Sequence, residues 1–275
     1  MQAGISTASL FMRKYNEEAL PFLNEQGIHT AEVFLTSFSE YGEEFANILK
    51  EKQGQVKVNS IHILNTEFEP QIFNAHPRVV KDAYDWMDKV LTSAQILGAP
   101  YYTFHGVSRV KRSSRTGEND NFPWLIDGFR RLANTCQQKG VTLCLENVEW
   151  SSYNRPGFFK RIADEVPNMR GVLDVKQARI SEFSYQEYIK DMGERLAYTH
   201  VSDIDENGKM CLPGKGIFDF DRFVEELKDV GFDGAWLIEV YEKDYKDEKE
   251  LKISCDYLNE LLYKHNCLTA FQKKQ

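Results

Sequence analysis

Eight short apolar runs alternate along this chain with stretches whose apolar residues recur every three or four positions. The runs are GISTASL, TAEVFLT, KVNSIHIL, YYTFHGV, VTLCLENV, RGVLDV, AYTHVSD and AWLIEVY. The stretches between and after them are EEALPFLNEQ, EEFANILKEK, RVVKDAYDWMDKVLTSAQILG, FRRLANTCQQKG, GFFKRIADEV, YQEYIKDMGERL, DRFVEELKDVG and EKELKISCDYLNELLYK. Their spacing predicts helices, as with Phe129, Leu132 and Cys136. Gly27, Gly54, Gly98, Gly140 and Gly231 fall where those helices should stop, as expected of a residue that tolerates left-handed backbone. Strands that alternate strictly with helices pair in parallel. Eight such units predict a single α/β domain over residues 1–275, a (β/α)8 TIM barrel. A doubly wound open sheet is the competing arrangement, but no GxGxxG follows the first run.

The chain is long enough for such a core: 275 residues, 42% of them hydrophobic. Its formal net charge of -8 argues against a nucleic-acid partner, whose phosphates are neutralised by Lys and Arg. Five cysteines, scattered and never in a CxxC pair, read as reduced thiols in a cytoplasmic protein, with Cys144 a core residue. The N-terminus lacks a basic region followed by a long apolar stretch, so no signal peptide is expected. No segment approaches the roughly 18 consecutive apolar residues of a membrane helix. The aromatic-rich FSEYGEEF and the terminal CLTAFQKKQ would either cover a second copy in a homo-oligomer or, at the terminus, fray.

In a barrel of this kind the active site lies at the C-terminal ends of the strands, so the polar residues that close apolar runs matter most. Glu146 closes VTLCLE, Asp174 closes GVLD, His200 closes LAYTH and Glu239 closes AWLIE. Carboxylates buried there without partners would cost several kcal/mol or become protonated. A divalent cation bound by Glu146, Asp174, His200 and Glu239 makes the arrangement tolerable. Oxygen-rich ligation with one imidazole suits Mn2+ foremost, with Mg2+, Co2+ or Zn2+ as alternatives.

These residues carry a resemblance. LENV at Glu146, LDVKQA at Asp174, THVSD at His200, LPGKGIFDF at 212–220 and LIEVY at Glu239 are similar to the xylose isomerase-like TIM-barrel superfamily. That group includes sugar isomerases, ketose 3-epimerases and endonuclease IV, and the resemblance runs from GISTASL to LIEVY. It implies that Glu146, Asp174, His200 and Glu239 hold one divalent metal, with Glu146 and Glu239 also the acid–base pair. The implied chemistry is proton abstraction beside the carbonyl of a small carbohydrate, through an enediolate stabilised by the metal. Return of the proton to the opposite face gives an epimer, and return to the neighbouring carbon gives an isomer.

Other residues carry two readings each. His62 and His105 are sugar contacts or proton relays, or else hydrogen-bonded core histidines. Trp150 and Phe34 would cover an apolar face of the sugar or pack in the core. Arg155 would touch substrate or face solvent. The turn around Lys215 would cradle a phosphate through its N–H groups or simply be tight. Strand alternation puts Lys176 on the side of Asp174, where it would stabilise an enediolate or bind an acidic group. If the strand has already ended, Lys176 points to solvent or pairs with a carboxylate.

Departures from the family pattern narrow the reaction. Endonuclease IV relatives need a histidine where this chain has Gln177, and an Asp-x-His where it has Lys209 and Cys211, which argues against DNA repair. Ketose 3-epimerases usually share that histidine, follow the His200 position with an arginine, and place a glutamate at the position of Ser152; none is present. Gln177 instead offers an amide to a sugar hydroxyl. The expected activity is therefore a metal-dependent sugar isomerase or epimerase. The alternatives are a dehydratase of a cyclic keto-polyol and a non-catalytic barrel subunit.

Overall fold

A computed structural model describes residues 1–64, 67–108 and 121–267. Its elements in chain order are β1 (Gln2–Ser6), α1 (Asn16–Glu25), β2 (Thr30–Leu35), α2 (Glu43–Lys52), β3 (Lys57–Ile63), α3 (Glu69–Ile72), α4 (Pro77–Leu97), β4 (Tyr101–Phe104), α5 (Phe122–Gln138) and β5 (Thr142–Glu146). There follow α6 (Phe158–Ala163), β6 (Met169–Asp174), α7 (Val175–Ile180), α8 (Tyr185–Met192), β7 (Leu196–Val201), β8 (Asp203–Ile204), β9 (Met210–Cys211), α9 (Phe220–Asp229), β10 (Ala235–Ile238) and α10 (Lys249–Lys264). Eight parallel strands close on themselves in the order β1-β10-β7-β6-β5-β4-β3-β2, and helices flank them. The fold is a (β/α)8 barrel, with β8 and β9 a small antiparallel hairpin beyond β7.

The strand signals hold because both faces of the runs are largely buried. One face meets the helices, as Trp236 meets Phe223 at 4.9 Å between ring centroids, and the other fills the barrel. Inside, Cys144, Val172, Tyr198 and Leu237 form one cluster of buried side chains, a packed layer as expected of such barrels. The five glycines take φ between +58° and +71° except Gly98, at +75°. At Gly98 the N–H closes α4 onto Ala94 and Gln95, a conformation an L side chain would strain. Helices α3 and α7 escape the periodicity argument because four and six residues are too few to show a face. Among the described residues no helix is long and apolar enough to cross a membrane.

Much of FSEYGEEF packs internally: Tyr41 is buried, and Phe38 sits 4.5 Å from Trp86 and 5.6 Å from Tyr41. Of the terminal run, only Cys267 lies within the described residues.

The glycine-rich turn is a tight turn, and its N–H groups are not open to a phosphate. Buried Asp203 accepts from the backbone N–H of Gly214 (3.0 Å), Gly216 (3.0 Å) and Phe218 (2.9 Å). A Cβ at Gly216 would stand 2.1 Å from the Ile204 carbonyl oxygen. Lys215 turns away to an ion pair with Glu250. Each buried donor left unpaired costs about 1–3 kcal/mol, so Asp203→Ala should lower stability by roughly 3 kcal/mol or more in urea unfolding. A loss below about 1 kcal/mol would show that the turn holds itself.

Candidate active site

Period two places the four strand-end residues together. Counting two residues on from the packed layer of Cys144, Val172, Tyr198 and Leu237 gives Glu146, Asp174, His200 and Glu239. Successive inward residues of a strand point the same way, so the polar quartet forms the next layer toward the C-terminal mouth. Asp174 stands directly opposite His200 in the β6–β7 register. Asn147 ties the ends of β5 and β6 together: its side-chain amide donates to the Asp174 carbonyl (3.0 Å) and accepts from the Asp174 N–H (2.8 Å).

One ligand-type atom from each of Glu146, Asp174, His200 and Glu239 lies within 4.8 Å of the others. His200 Nδ1 is 2.7 Å from Glu146 Oε1 and 3.3 Å from Glu239 Oε2. Asp174 Oδ1 caps α7 by accepting from the Gln177 N–H at 2.9 Å. Asp174 Oδ2, Glu239 Oε2 and His200 Nε2 are buried and make no hydrogen bond, only ion-pair contacts with Lys176 Nζ (3.4 Å), His200 Nδ1 (3.3 Å) and Glu32 Oε1 (3.0 Å). Buried polar atoms with no hydrogen bond are uncommon in native proteins, and three in one quartet fit the donor set of a divalent cation. Two further groupings, His62 with His105 and Glu146, and Glu32 with His62, His200 and Glu239, also converge.

Charge compensates charge here. Burial pushes the carboxyl of Glu146 up, but His200, His62 and His105 outweigh it and hold the group down to about 2. Asp174 is pushed up to about 6 by burial and by Glu146 and Glu239, against the pull of Lys176. Burial would lower both imidazoles, yet Glu32 and its neighbours raise His62 to about 9, and Glu239, Glu32 and Glu146 hold His200 well above its ordinary value.

Lys176 reaches this cluster by a route other than strand alternation. The strand ends at Asp174, and Lys176 is the second residue of α7. Its side chain is nonetheless buried, with Nζ 3.4 Å from Asp174 Oδ2, 3.5 Å from Glu239 Oε1 and 4.9 Å from the Tyr241 ring centroid. Gln177 accepts from the Glu149 N–H at 3.2 Å. A cavity of about 500 Å3 is lined by His62, His105, Glu146, Trp150, Lys176, Gln177, Glu239 and Phe34, among others. The Trp150 ring lies 5.5 Å from His105. Arg155 and Lys215 do not line this cavity.

Two buried acidic residues beside the site were not among those expected. Glu32 of β2 is fully buried, accepts from Ser6, Ser60 and Thr103, and lies 3.2 Å from His62 Nδ1 and 3.0 Å from His200 Nε2. Glu69 lies 2.8 Å from His105 Nδ1 and accepts from Tyr102 OH. His62 and His105 meet through their Nε2 atoms at 2.8 Å, so the two glutamates anchor the far ends of an imidazole pair. A glutamate within the apolar run TAEVFLT was the available signal for Glu32.

The raised imidazole of His62 sets a pH dependence. Its contribution to stability is full below its ordinary 6.5 and lost as pH rises through about 9. Protein stripped of metal should therefore show a falling denaturant midpoint between those pH values, and His62→Asn should flatten that slope. A midpoint that rises or stays level over this window would contradict the pairing.

Comparison with known proteins agrees with this geometry. Residues 20–261 match the family model of the xylose isomerase-like TIM barrel. A D-psicose 3-epimerase of Enterocloster bolteae is 21% identical over 224 residues, covering 78% of this chain and 68% of that protein. The structure of D-psicose 3-epimerase with D-tagatose from Clostridium cellulolyticum H10 superposes with a TM-score of 0.75 at 19% identity, covering 96% of this chain and 99% of the other. A D-tagatose 3-epimerase-like protein superposes with a TM-score of 0.78 at 16% identity, covering 97% and 98%. With its closed barrel, its strand-end quartet and a family match over nearly its whole length, the chain belongs to the xylose isomerase-like TIM-barrel family of enzymes.

Proposed function

We propose that this protein is a divalent-metal-dependent isomerase or epimerase of a neutral sugar or sugar derivative, with Glu146, Asp174, His200 and Glu239 as the metal ligands. The observation that carries this reading is the convergence of one ligand-type atom from each of those four side chains within 4.8 Å of the others, with Glu146 and Glu239 reaching the cavity wall. The donor set favours Mn2+, with Mg2+, Co2+ or Zn2+ as alternatives. When bound, such an ion supplies Lewis acidity to the carbonyl and hydroxyl oxygens of a ketose.

Glu146 and Glu239 remove and return the proton on the carbon beside the carbonyl. Each keeps one oxygen near His200 Nδ1. The other oxygen of Glu146 lies 3.9 Å from His62 Nε2 and 4.0 Å from His105 Nε2, and the linked imidazoles give its proton an outlet toward the more exposed His105. The other oxygen of Glu239 lies beside Lys176, whose fixed charge offsets negative charge developing on substrate oxygen. Trp150 covers an apolar face of the sugar. Gln177, its carbonyl engaged by Glu149, leaves its NH2 group for a hydroxyl.

The charge pattern supports a substrate without phosphate. Lys176, a cationic side chain of the cavity wall, is held by two carboxylates, and the glycine-rich turn is filled by Asp203. Five free cysteines fit the reducing cytoplasm.

The test is a screen of ketoses and aldoses with Mn2+-loaded protein in D2O, followed by NMR. One sugar should lose its α-proton stereospecifically, and a chelator should stop the loss. Glu146→Gln and Glu239→Gln should each slow exchange about 10²- to 10⁴-fold. Fully loaded protein that exchanges no sugar would contradict the reading.

A further inference from the structure

A second hollow of about 280 Å3 opens beside the main cavity, and the two share Phe11, Met12 and Phe34 as lining. We propose that this hollow is a second sugar subsite, so that the reacting sugar enters as one unit of a disaccharide or other glycoside. The inference rests on the reading above and extends it from a reaction to a substrate class.

Size comes first. The main cavity, at about 500 Å3, already falls within the roughly 300–1,000 Å3 that holds a drug-sized ligand. A single sugar ring is smaller than that and does not need the second hollow.

The lining of the hollow matches a neutral pyranose. One side is aromatic: Phe11 and Phe34 meet edge to face at 6.0 Å, Phe34 in turn meets His62 at 5.2 Å, and Tyr15 stands 72% exposed on the rim. Such surfaces suit the apolar C–H face of a sugar ring. The other side is polar. Buried Glu40 accepts from the Thr36 N–H (2.6 Å), Thr36 Oγ1 (3.2 Å) and Asn16 Nδ2 (3.3 Å). An ionised carboxylate offers about four acceptor positions, so three donors leave one for a hydroxyl. Glu18 adds another acceptor on the same wall.

Charge excludes the other occupants. Arg13 donates to the carbonyls of Glu242, Tyr245 and Lys246 and lies 4.2 Å over the Tyr245 ring. Lys14 is paired with Glu248 at 2.8 Å. Both cations are thus turned to partners while two carboxylates face the hollow, which disfavours a phosphate, a nucleotide or an acidic sugar. A purely apolar group would leave Glu40 and Thr36 without use. A ring with hydroxyls on its edge and C–H groups on its face satisfies both walls.

Met12 marks the junction. It lines both hollows, is 78% exposed, and holds φ at +67°. Backbone strain in a residue other than glycine clusters at ligand-binding positions, and here it falls where the linkage between two sugar units would pass.

The test compares binding of fructose with a set of glucosyl-fructoses of different linkage, by calorimetry or ligand-observed NMR on metal-loaded protein. At least one disaccharide should bind tenfold or more tightly than fructose. That ratio should fall toward one in Thr36→Val and in Tyr15→Ala, the latter at an exposed position where folding is not at stake. If no disaccharide outbinds fructose, or if the preference survives both substitutions, the subsite is overturned. Binding is read without turnover, so a tight, substitution-sensitive disaccharide that shows no α-proton exchange would uphold the subsite while overturning the proposed reaction.

Discussion

Four carboxylates, Glu32, Glu146, Asp174 and Glu239, crowd around His62 and His200 in a volume nearly closed to water, and the rest of the site depends on how that charge is tolerated. Like charges a few ångströms apart repel by several kcal/mol even at an effective dielectric constant of about 20. The protein answers with Lys176 against Asp174 and Glu239, with imidazoles drawn toward their charged form, and with the hydroxyls of Ser6, Ser60 and Thr103 around Glu32. Three of the buried atoms still make no hydrogen bond. The arrangement is costly for the polypeptide alone, and a divalent cation bound as proposed would offset that cost.

The barrel makes the crowding possible. Parallel strands in register deliver Asp174 opposite His200, while the layer of Cys144, Val172, Tyr198 and Leu237 beneath keeps the strand ends from collapsing inward. Further out, the Asn147 clamp and the Asp203 knot fix loops that would otherwise swing over the mouth. The quartet is thus mounted on backbone that is held in place, while Phe11 and Trp150, from loops outside the strands, line the cavity above it.

Much of this was legible in the chain. Alternation of strand and helix patterns gave the barrel, and the polar residue closing each of four apolar runs picked out the quartet, because a strand-end charge has few other reasons to exist. Glu32 was hidden by its position in the middle of a run, where period-two reading treats a polar residue as solvent-facing. Glu69 lies in a short helix between strands and meets His105 only in the folded chain. For Lys176 strand alternation was the wrong argument, and the other reading, a strand already ended and a pairing with a carboxylate, is the one observed, since α7 begins one residue after Asp174. The glycine-rich turn stayed ambiguous until Asp203, nine or more residues upstream, was seen to fill it. The Glu69 and Asp203 contacts join segments far apart in the chain, which no local pattern encodes.

The central claim is that the strand-end quartet is a metal centre. An anomalous-difference map from a crystal grown with Mn2+, recorded at the manganese edge, tests it most directly. The account predicts a strong peak within about 2.0–2.5 Å of side-chain atoms from Glu146, Asp174, His200 and Glu239. A peak held only by His62, His105 and Glu146, or no peak in the barrel mouth at saturating metal, would contradict it.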